Sequence, residues 1–292
     1  MNLCDINVIE EVLKRHGFRF SKSLGQNFLT SEWVPQDIAR GSGVDKNSYA
    51  LEVGPGMGCL TKELSQLANS VVSIELDRTL FPVLDETLAD CDNVKIINHD
   101  VLKADLKQIC EENFPENAEI HACANLPYYI TSQALATLID SKCFKSVTVM
   151  IQKEVAERIC ANAGTKEYGA FSLYVNYYTK PEILFQVPAD CFVPRPKVDS
   201  AVIRMECLDK PSVDVVDEKL FFKIIKSSFM QRRKTLLNSI SNAFDGRLNK
   251  EQISEVIIKS GFEPSIRGER LTISDFAHLS NISAEFIKST SK

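Results

Sequence analysis

The segment from Ala124 to Tyr129, A-N-L-P-Y-Y, combines groups suited to binding a flat base that carries an exocyclic amine. The side chain of Asn125 can accept a hydrogen bond from an –NH2 group through its carbonyl oxygen. Pro127 fixes its own φ and favours an extended conformation at Leu126, so a backbone carbonyl can face a pocket. Tyr128 offers a π surface for base stacking. The alternative is a strand that ends in a turn, with both tyrosines in the core.

A glycine-rich loop, Leu51–Thr61, runs from a predicted strand into a predicted helix. Gly54 and Gly56 would let the backbone turn tightly and approach a ligand beside a helix N-terminus. The third glycine comes one position earlier than in the dinucleotide fingerprint G-x-G-x-x-G. Glu52, just before the loop, would be unfavourable beside phosphates. The loop therefore favours a ligand that carries positive charge and no phosphate.

Polar side chains stand at the ends of the strands that follow the loop. Glu75 ends the next predicted strand, where a carboxylate can accept hydrogen bonds from both hydroxyls of a ribose. Asp100 ends the third strand, a suitable position for binding an adenine amino group, and Asn125 ends the fourth. Ligands of open α/β sheets bind at this carboxyl edge. The four elements together predict an S-adenosylmethionine site, and the alternative is a set of capping and turn residues.

Alternating strands and helices must position these residues. The predicted strands are Tyr49–Val53, Ser70–Glu75, Val94–Asn98, Glu119–Ala124, Ser146–Ile151, Tyr174–Phe185 and Ala201–Cys207. The predicted helices between them are Leu60–Ala68, Thr79–Ala89, Ser132–Ser141 and Lys153–Ala161. This order predicts βαβ units in an α/β fold with a mainly parallel, doubly wound sheet. The last strands have little helix between them, which predicts an antiparallel edge.

The pattern changes near residue 210, after which it is helical. The predicted helices there are Glu218–Met230, Lys234–Ala243, Lys250–Ser260 and Ile273–Ser280. Gly261 and Pro264 are typical of helix ends. We therefore expect two domains: an α/β domain over residues 1–208 with an N-terminal helical extension, and a small helical domain over residues 212–292.

Charge is concentrated in the predicted helical domain. The chain has a formal net charge of −5, but the stretch Lys219–Lys250 has eight basic residues and one acidic residue. Such a cluster is typical of a phosphate-binding surface. The candidates for RNA contact in it are Lys223, Lys226, Arg232, Arg233 and Lys234. The alternative is a solvated helix face.

The nine cysteines are scattered, without C-x-x-C pairs, and the four histidines are also dispersed. This pattern predicts reduced thiols in a cytoplasmic protein and no metal site. The first residues lack the basic region and apolar stretch of a signal peptide, and no apolar run is long enough to span a bilayer.

Well-separated segments carry a family resemblance over essentially the whole chain. They are Lys22–Leu29, Leu51–Thr61, Asn125–Tyr128, Phe192–Val202, Arg232–Leu236, and Arg270-Leu271 followed by Asp275-Phe276. With these segments the chain resembles the bacterial small-subunit ribosomal RNA adenine N6-dimethyltransferases, the kasugamycin-susceptibility enzymes. The resemblance implies a class I S-adenosylmethionine-dependent methyltransferase fold, Rossmann-like with a seven-stranded sheet, joined to a small helical domain.

The resemblance also implies residue roles. The residues that would contact S-adenosylmethionine are Asn27, Leu29, Gly54, Gly56, Glu75, Asp100 and Asn125. Asn125 and the Leu126 carbonyl, in a segment shaped by Pro127, would hold the target amine, with the adenine between Tyr128 and Phe192. Arg195 and Lys197 would join the basic residues in RNA contact. Tyr129 stands where many members have a second asparagine, and we expect this difference to tune the pocket.

The implied substrate is a pair of adjacent adenosines in the 3′-terminal hairpin loop of 16S ribosomal RNA, in the 30S subunit or its precursor. We expect a monomer with a role in ribosome biogenesis. Three alternatives stay open: a macrolide-resistance-type enzyme acting on 23S RNA, a non-catalytic assembly factor, and a DNA adenine methyltransferase. Leu126 and the segment Phe192–Val202 favour the 16S enzyme over the first. The glycine loop with its acidic residues favours catalysis over the second.

Overall fold

The computed structural model describes residues 1–18 and 25–290 of the chain. The described residues fall into two compact units. The first unit comprises Met1–Ala156 and Lys180–Cys207, and the second comprises Glu157–Thr179 and the residues from Leu208 onward. The boundary that the sequence predicts between residues 208 and 212 stays a prediction. In the structure, the segment Glu157–Thr179 also packs with the second unit.

The described residues form nine strands. They are β1 Phe28–Leu29, β2 Tyr49–Val53, β3 Ser70–Glu75, β4 Val94–Asn98, β5 Ile120–Asn125, β6 Ser146–Gln152, β7 Thr179–Val187, β8 Phe192–Val193 and β9 Ser200–Cys207. Seven of them form one sheet in the order β4-β3-β2-β5-β6-β9-β7. Neighbours from β4 to β6 run parallel, and β9 runs antiparallel to β6. The short strands β1 and β8 pair separately.

Helices connect the parallel strands. The helices of the described chain are α1 Ile6–Arg15, α2 Trp33–Gly41, α3 Cys59–Leu67, α4 Phe81–Thr87, α5 Leu106–Asn113, α6 Thr131–Ser141, α7 Lys153–Ile159, α8 Ala170–Tyr178, α9 Glu218–Met230, α10 Leu236–Ile240, α11 Lys250–Lys259 and α12 Ile273–Thr290. The core of the first unit joins α2 and α3 to the sheet through Val34, Ile38 and Leu64 from the helices and Ala50 and Met150 from the strands. This topology confirms the predicted class, a mainly parallel α/β sheet with an antiparallel edge.

One predicted strand was wrong in its first half. The sequence predicts a strand over Tyr174–Phe185, but α8 extends to Tyr178 and β7 begins only at Thr179. Aromatic residues favour strands on the surface of a sheet, yet packing overrides that preference. The side chain of Tyr177 is buried, and the centroid of its ring lies 5.2 Å from the centroid of the Phe221 ring. In the helix it can fill the core of the second unit.

The second unit is helical, as the sequence predicts. Its core contains four fully buried aromatic side chains, Tyr177, Phe221, Phe244 and Phe276. Polar caps fix its helix starts: Asp217 accepts a hydrogen bond from the Leu220 N–H at 3.0 Å, and α11 begins with a capping box. Helix α12 is ten residues longer than predicted. Within the described residues, no helix is long and apolar enough to cross a membrane.

Candidate active site

A cleft lies at the carboxyl ends of strands β2, β3 and β5 in the first unit. Residues from five chain segments line it: Gly25–Leu29, Glu52–Leu60 except Gly58, Ile74–Leu76, His99–Leu102 and Asn125–Ile130, together with Leu80 and Phe192. The cleft therefore brings together every residue that the sequence analysis assigned to S-adenosylmethionine or the target adenine. Their roles stay predictions.

The glycine loop after β2 has a backbone that other residues rarely adopt. Gly54, Gly56 and Gly58 have φ values of +71°, +58° and +86°. A Cβ atom on Gly56 would lie 3.3 Å from the ring of Phe28, and one on Gly58 would lie 2.9 Å from Leu88. The glycines thus allow a tight turn that leads directly into α3, and Gly54 and Gly56 line the cleft without side chains.

Glu75, the last residue of β3, is buried at the edge of the cleft. Its Oε1 accepts a hydrogen bond from the Asp77 N–H at 2.7 Å. Burial raises the pKa of this carboxyl above its ordinary value, and the backbone N–H groups of Asp77, Gly56 and Leu76 oppose the rise. A buried carboxylate held in this way is a strong acceptor for hydroxyl groups.

Asp100 follows β4 and also faces the cleft. Its Oδ1 accepts a hydrogen bond from the Leu102 N–H at 3.0 Å, and its Oδ2 lies 3.6 Å from the Lys103 ammonium. Both contacts come from the loop that contains Asp100, and they orient its side chain. One carboxylate has several lone pairs, so acceptor capacity is left for a ligand.

Glu52 has partners inside the protein that the sequence did not reveal. Its Oε2 accepts hydrogen bonds from the hydroxyls of Thr61, at 2.6 Å, and Ser73, at 2.7 Å. The side chain is 1% exposed, and burial raises its pKa to about 7. At neutral pH this carboxyl is therefore only partly ionised. Its role toward a positively charged ligand stays a prediction.

Asn125, the last residue of β5, is oriented by a contact with the segment that precedes β1. Its Nδ2 donates a hydrogen bond to the Asn27 carbonyl across 3.4 Å. The amide oxygen is thereby kept as an acceptor. The next residue, Leu126, donates its N–H to the Met150 carbonyl at 3.2 Å, and Pro127 is extended with ψ at 132°. Asn125 and Leu126 thus both line the cleft at the point where the chain leaves the sheet.

Two aromatic side chains reach the cleft from separate elements. Tyr128 opens a 3-10 turn, and its hydroxyl lies 2.8 Å from Ser200 Oγ. Burial raises the pKa of this phenol above its ordinary value. Phe192 is buried in β8, directly opposite Leu29 in the pairing of β8 with β1. The family resemblance predicts that both rings contact the adenine, but the sequence gives no signal for Ser200, which is 72 residues from Tyr128.

Tyr129 lies on the rim of the cleft and is 59% exposed. Its ring packs over Gly25, where an added Cβ atom would lie 3.3 Å from two ring carbons. The preceding part of the motif Lys22–Leu29, residues 22–24, lies outside the described residues. An exposed ring at this position is consistent with an effect on the pocket entrance.

The predicted RNA-contacting residues are mostly exposed, but two of them have acidic partners. In the second unit, Lys223 forms an ion pair with Asp245, and Arg232 lies 3.4 Å from Glu269. Lys226, Arg233 and Lys234 are exposed. In the first unit, Arg195 and Lys197 are exposed in the loop after β8. Among the described residues, no group of three metal-binding side chains is close enough together to hold an ion.

Comparisons with known proteins identify the family of the chain. Residues 17–281 match the model of a family described as ribosomal RNA adenine dimethylase. A protein of Alkaliphilus oremlandii named ribosomal RNA small subunit methyltransferase A is 46% identical over 273 residues, which is 93% of this chain and 94% of that protein. The protein of that name in Bacillus mycoides is 46% identical over 277 residues, 94% of this chain and 95% of its own length.

Solved structures show the same fold. A dimethyladenosine transferase from Plasmodium falciparum superposes with a TM-score of 0.74 at 25% identity and covers 90% of this chain and 98% of its own. The 23S rRNA methyltransferase ErmE gives a TM-score of 0.67 at 22% identity, with coverage of 87% and 98%. The family and the enzyme class predicted from the sequence are confirmed. The chain belongs to the ribosomal RNA adenine dimethylase family.

Proposed function

We propose that this protein transfers methyl groups from S-adenosylmethionine to the N6 amines of two adjacent adenosines in the 3′-terminal hairpin loop of 16S ribosomal RNA. The observation that carries the proposal is the end of β5. There Asn125, whose amide nitrogen donates to the Asn27 carbonyl, lines the same cleft as Leu126 and the glycine loop. Family membership supports adenine as the target.

The residues of the cleft fit S-adenosylmethionine. Glu75 would accept hydrogen bonds from the ribose hydroxyls, and Asp100 would accept one from the adenine amine. Because Gly54 and Gly56 line the cleft without side chains, the amino-acid part of the ligand would approach the backbone closely there. Asn27 and Leu29 would form the opposite wall. When bound, this ligand supplies a methyl group on a positively charged sulfur.

The protein would activate the target amine by hydrogen bonding. The N6 lone pair of adenine is delocalised into the ring, so the amine is a poor nucleophile. Two N–H groups donating to Asn125 Oδ1 and the Leu126 carbonyl would favour a more tetrahedral nitrogen, and they would stabilise the positive charge that develops there. Alignment of the amine with the methyl group supplies much of the remaining rate enhancement. The proton can leave to water, so no strong general base is needed.

The aromatic residues would hold the adenine after it has left its stack. A loop adenosine is unstacked at low cost. Tyr128 would stack on one face and Phe192 would close the other, while Tyr129 would adjust the entrance. Exposed basic residues in both units, among them Arg195, would contact RNA phosphates and fix its position more than its sequence.

The small subunit is favoured over 23S RNA by the curated relatives, whose names specify the small subunit. The match to ErmE supports only a shared fold at 22% identity. We propose that the protein works as a monomer in the cytoplasm on the 30S subunit or its precursor. An assembly role can accompany the catalysis.

The test is methyl transfer from tritiated S-adenosylmethionine to 30S and 50S particles that lack the modification, assayed in parallel. We expect label on 16S RNA in the 30S particles. Label on the 50S particles alone would contradict the substrate assignment. Label on neither, with protein that binds the cofactor, would contradict the proposed activity.

A further inference from the structure

Ser200 contacts the residue proposed to stack on the target base. Its Oγ lies 2.8 Å from the Tyr128 hydroxyl. Ser200 is fully buried and is the first residue of β9, where it pairs with Gln152 of β6. The hydroxyl of Tyr128 is therefore hydrogen-bonded to a strand of the sheet, while the backbone of Tyr128 belongs to the 3-10 turn after β5. The ring is held at both ends.

The neighbouring residue, Asp199, holds the segment that carries the other aromatic side chain. Its Oδ1 accepts a hydrogen bond from the Ala189 N–H at 3.0 Å, and its carbonyl accepts one from the Lys153 N–H at 3.0 Å. Ala189 begins a 3-10 turn that ends at Cys191, directly before Phe192. Two consecutive residues thus contact the Tyr128 ring hydroxyl and the turn that precedes Phe192.

We propose that Ser200 is a positioning residue for adenine methylation, which fixes the ring of Tyr128 in the plane needed for stacking, with Asp199 fixing the turn before Phe192. This inference rests on the proposed function. A ring anchored by its hydroxyl loses its torsional freedom when the protein folds, so less freedom is lost when the RNA binds. Precise placement of a catalytic pocket depends on such supporting hydrogen bonds.

A purely structural role for Ser200 predicts a different outcome. Loss of a buried hydrogen bond from a structural serine would lower the stability of the first unit without a selective effect on the target base. Positioning of Tyr128 predicts a lower kcat on RNA, with unchanged binding of S-adenosylmethionine. The two roles are therefore separated by comparing kcat, cofactor Kd and melting temperature in the same variants.

The experiment compares Ser200→Ala, Tyr128→Phe and the double variant in the full-length protein on unmodified 30S particles. Ser146→Ala is the matched control, since Ser146 is a fully buried strand serine whose Oγ lies 2.7 Å from His121 Nδ1. We expect kcat to fall about fivefold to tenfold in each single variant, the size of effect of one net hydrogen bond. The double variant should be no slower than the slower single variant, because both changes remove the same contact.

A wild-type kcat in Ser200→Ala or in Tyr128→Phe would overturn the inference. So would a decrease in kcat in the double variant equal to the product of the decreases in the two single variants. If Ser200→Ala does not fold, Tyr128→Phe still removes the hydrogen bond while leaving the serine in place. Ser200→Thr, which keeps the hydroxyl, should recover activity relative to Ser200→Ala. Failure of the proposed function is a separate result, since wild-type protein would then leave the 30S adenosines unmethylated.

Discussion

The side-chain nitrogen of Asn125 donates a hydrogen bond to the backbone carbonyl of Asn27, so the end of β5 is joined to the segment before β1. An asparagine amide has one donor side and one acceptor side. Use of the donor on Asn27 leaves the acceptor for a ligand amine. The orientation of the proposed catalytic oxygen is therefore set by the protein before the RNA arrives.

Replacement of Asn125 by alanine should remove this acceptor and lower kcat for methyl transfer by roughly a hundredfold to a thousandfold. Binding of S-adenosylmethionine should stay measurable by calorimetry, because Glu75 and Asp100 are unchanged. Asn113→Ala is a suitable control, since the Asn113 side chain lies outside the cleft, donates to the Ile109 carbonyl of its own helix and accepts from the Lys95 ammonium. Methylation by Asn125→Ala at the wild-type rate would exclude the proposed role.

Replacement of Glu75 by glutamine should weaken binding of S-adenosylmethionine by about tenfold to a hundredfold. A charged acceptor gives a hydroxyl donor a stronger hydrogen bond than a neutral amide does. The amide oxygen can still accept from the Asp77 N–H, so the fold should be kept. Equilibrium binding of the cofactor measures the effect, and Glu119→Gln, outside the cleft, is the control. Equal affinities of Glu75→Gln and wild-type protein would contradict the assignment.

The buried carboxyl of Glu52 predicts a pH dependence of stability. Its pKa is raised from 4.5 to about 7 by burial. Between these values the folded protein keeps a proton that the unfolded chain has lost. The free energy of unfolding should therefore fall as pH rises from about 4.5 to about 7, by roughly 3 kcal/mol, with no further change from this group above that range.

Denaturant unfolding at a series of pH values, with wild-type protein and Glu52→Gln, tests this dependence. The amide oxygen of glutamine can accept the same hydrogen bonds from the hydroxyls of Thr61 and Ser73, but the side chain cannot ionise. The variant should lose the contribution of Glu52 to the slope between pH 4.5 and pH 7. Glu10→Gln, at an exposed position, should keep the wild-type profile. An unchanged profile in Glu52→Gln would show that another group causes it.

Neutralising Arg233 and Lys234 should weaken RNA binding and reduce its salt dependence. Each phosphate contact that is lost lowers the slope of log K against log salt by about one. Arg232 should contribute less than its charge suggests, because Glu269 lies 3.4 Å away. The double variant Arg233→Gln/Lys234→Gln is compared with Lys46→Gln/Lys107→Gln, which removes the same charge from the first unit. Identical salt slopes for both double variants would argue against a specific basic surface.

Most of the sheet and the strand-end residues of the cleft could be predicted because they depend on local patterns, whereas Asn27, Leu29 and Phe192 were assigned through the family resemblance. The bounds of β2, β3 and β4 agree with the prediction, since apolar runs between turn residues define buried parallel strands. The helix over Tyr174–Tyr178 could not be predicted, because its aromatic residues favour a strand unless a core such as that around Phe221 packs against them.

Contacts between residues far apart in the chain could not be predicted from the sequence either. The hydrogen bond between Tyr128 and Ser200 joins residues 72 positions apart, and no spacing rule predicts it. The ion pairs of Lys223 and Arg232 likewise depend on how the helices of the second unit pack. Charge counted along the chain therefore overstated the free positive charge of the stretch Lys219–Lys250.

The central claim is tested most directly by identifying the modified nucleosides. Unmodified 30S particles are incubated with wild-type protein and S-adenosylmethionine, and the 16S RNA is digested and analysed by mass spectrometry. We predict N6,N6-dimethyladenosine at two adjacent positions of the 3′-terminal hairpin loop. Unmodified adenosines there after incubation with folded, cofactor-binding protein, or dimethyladenosine only in 23S RNA from 50S particles treated in parallel, would contradict the proposed function.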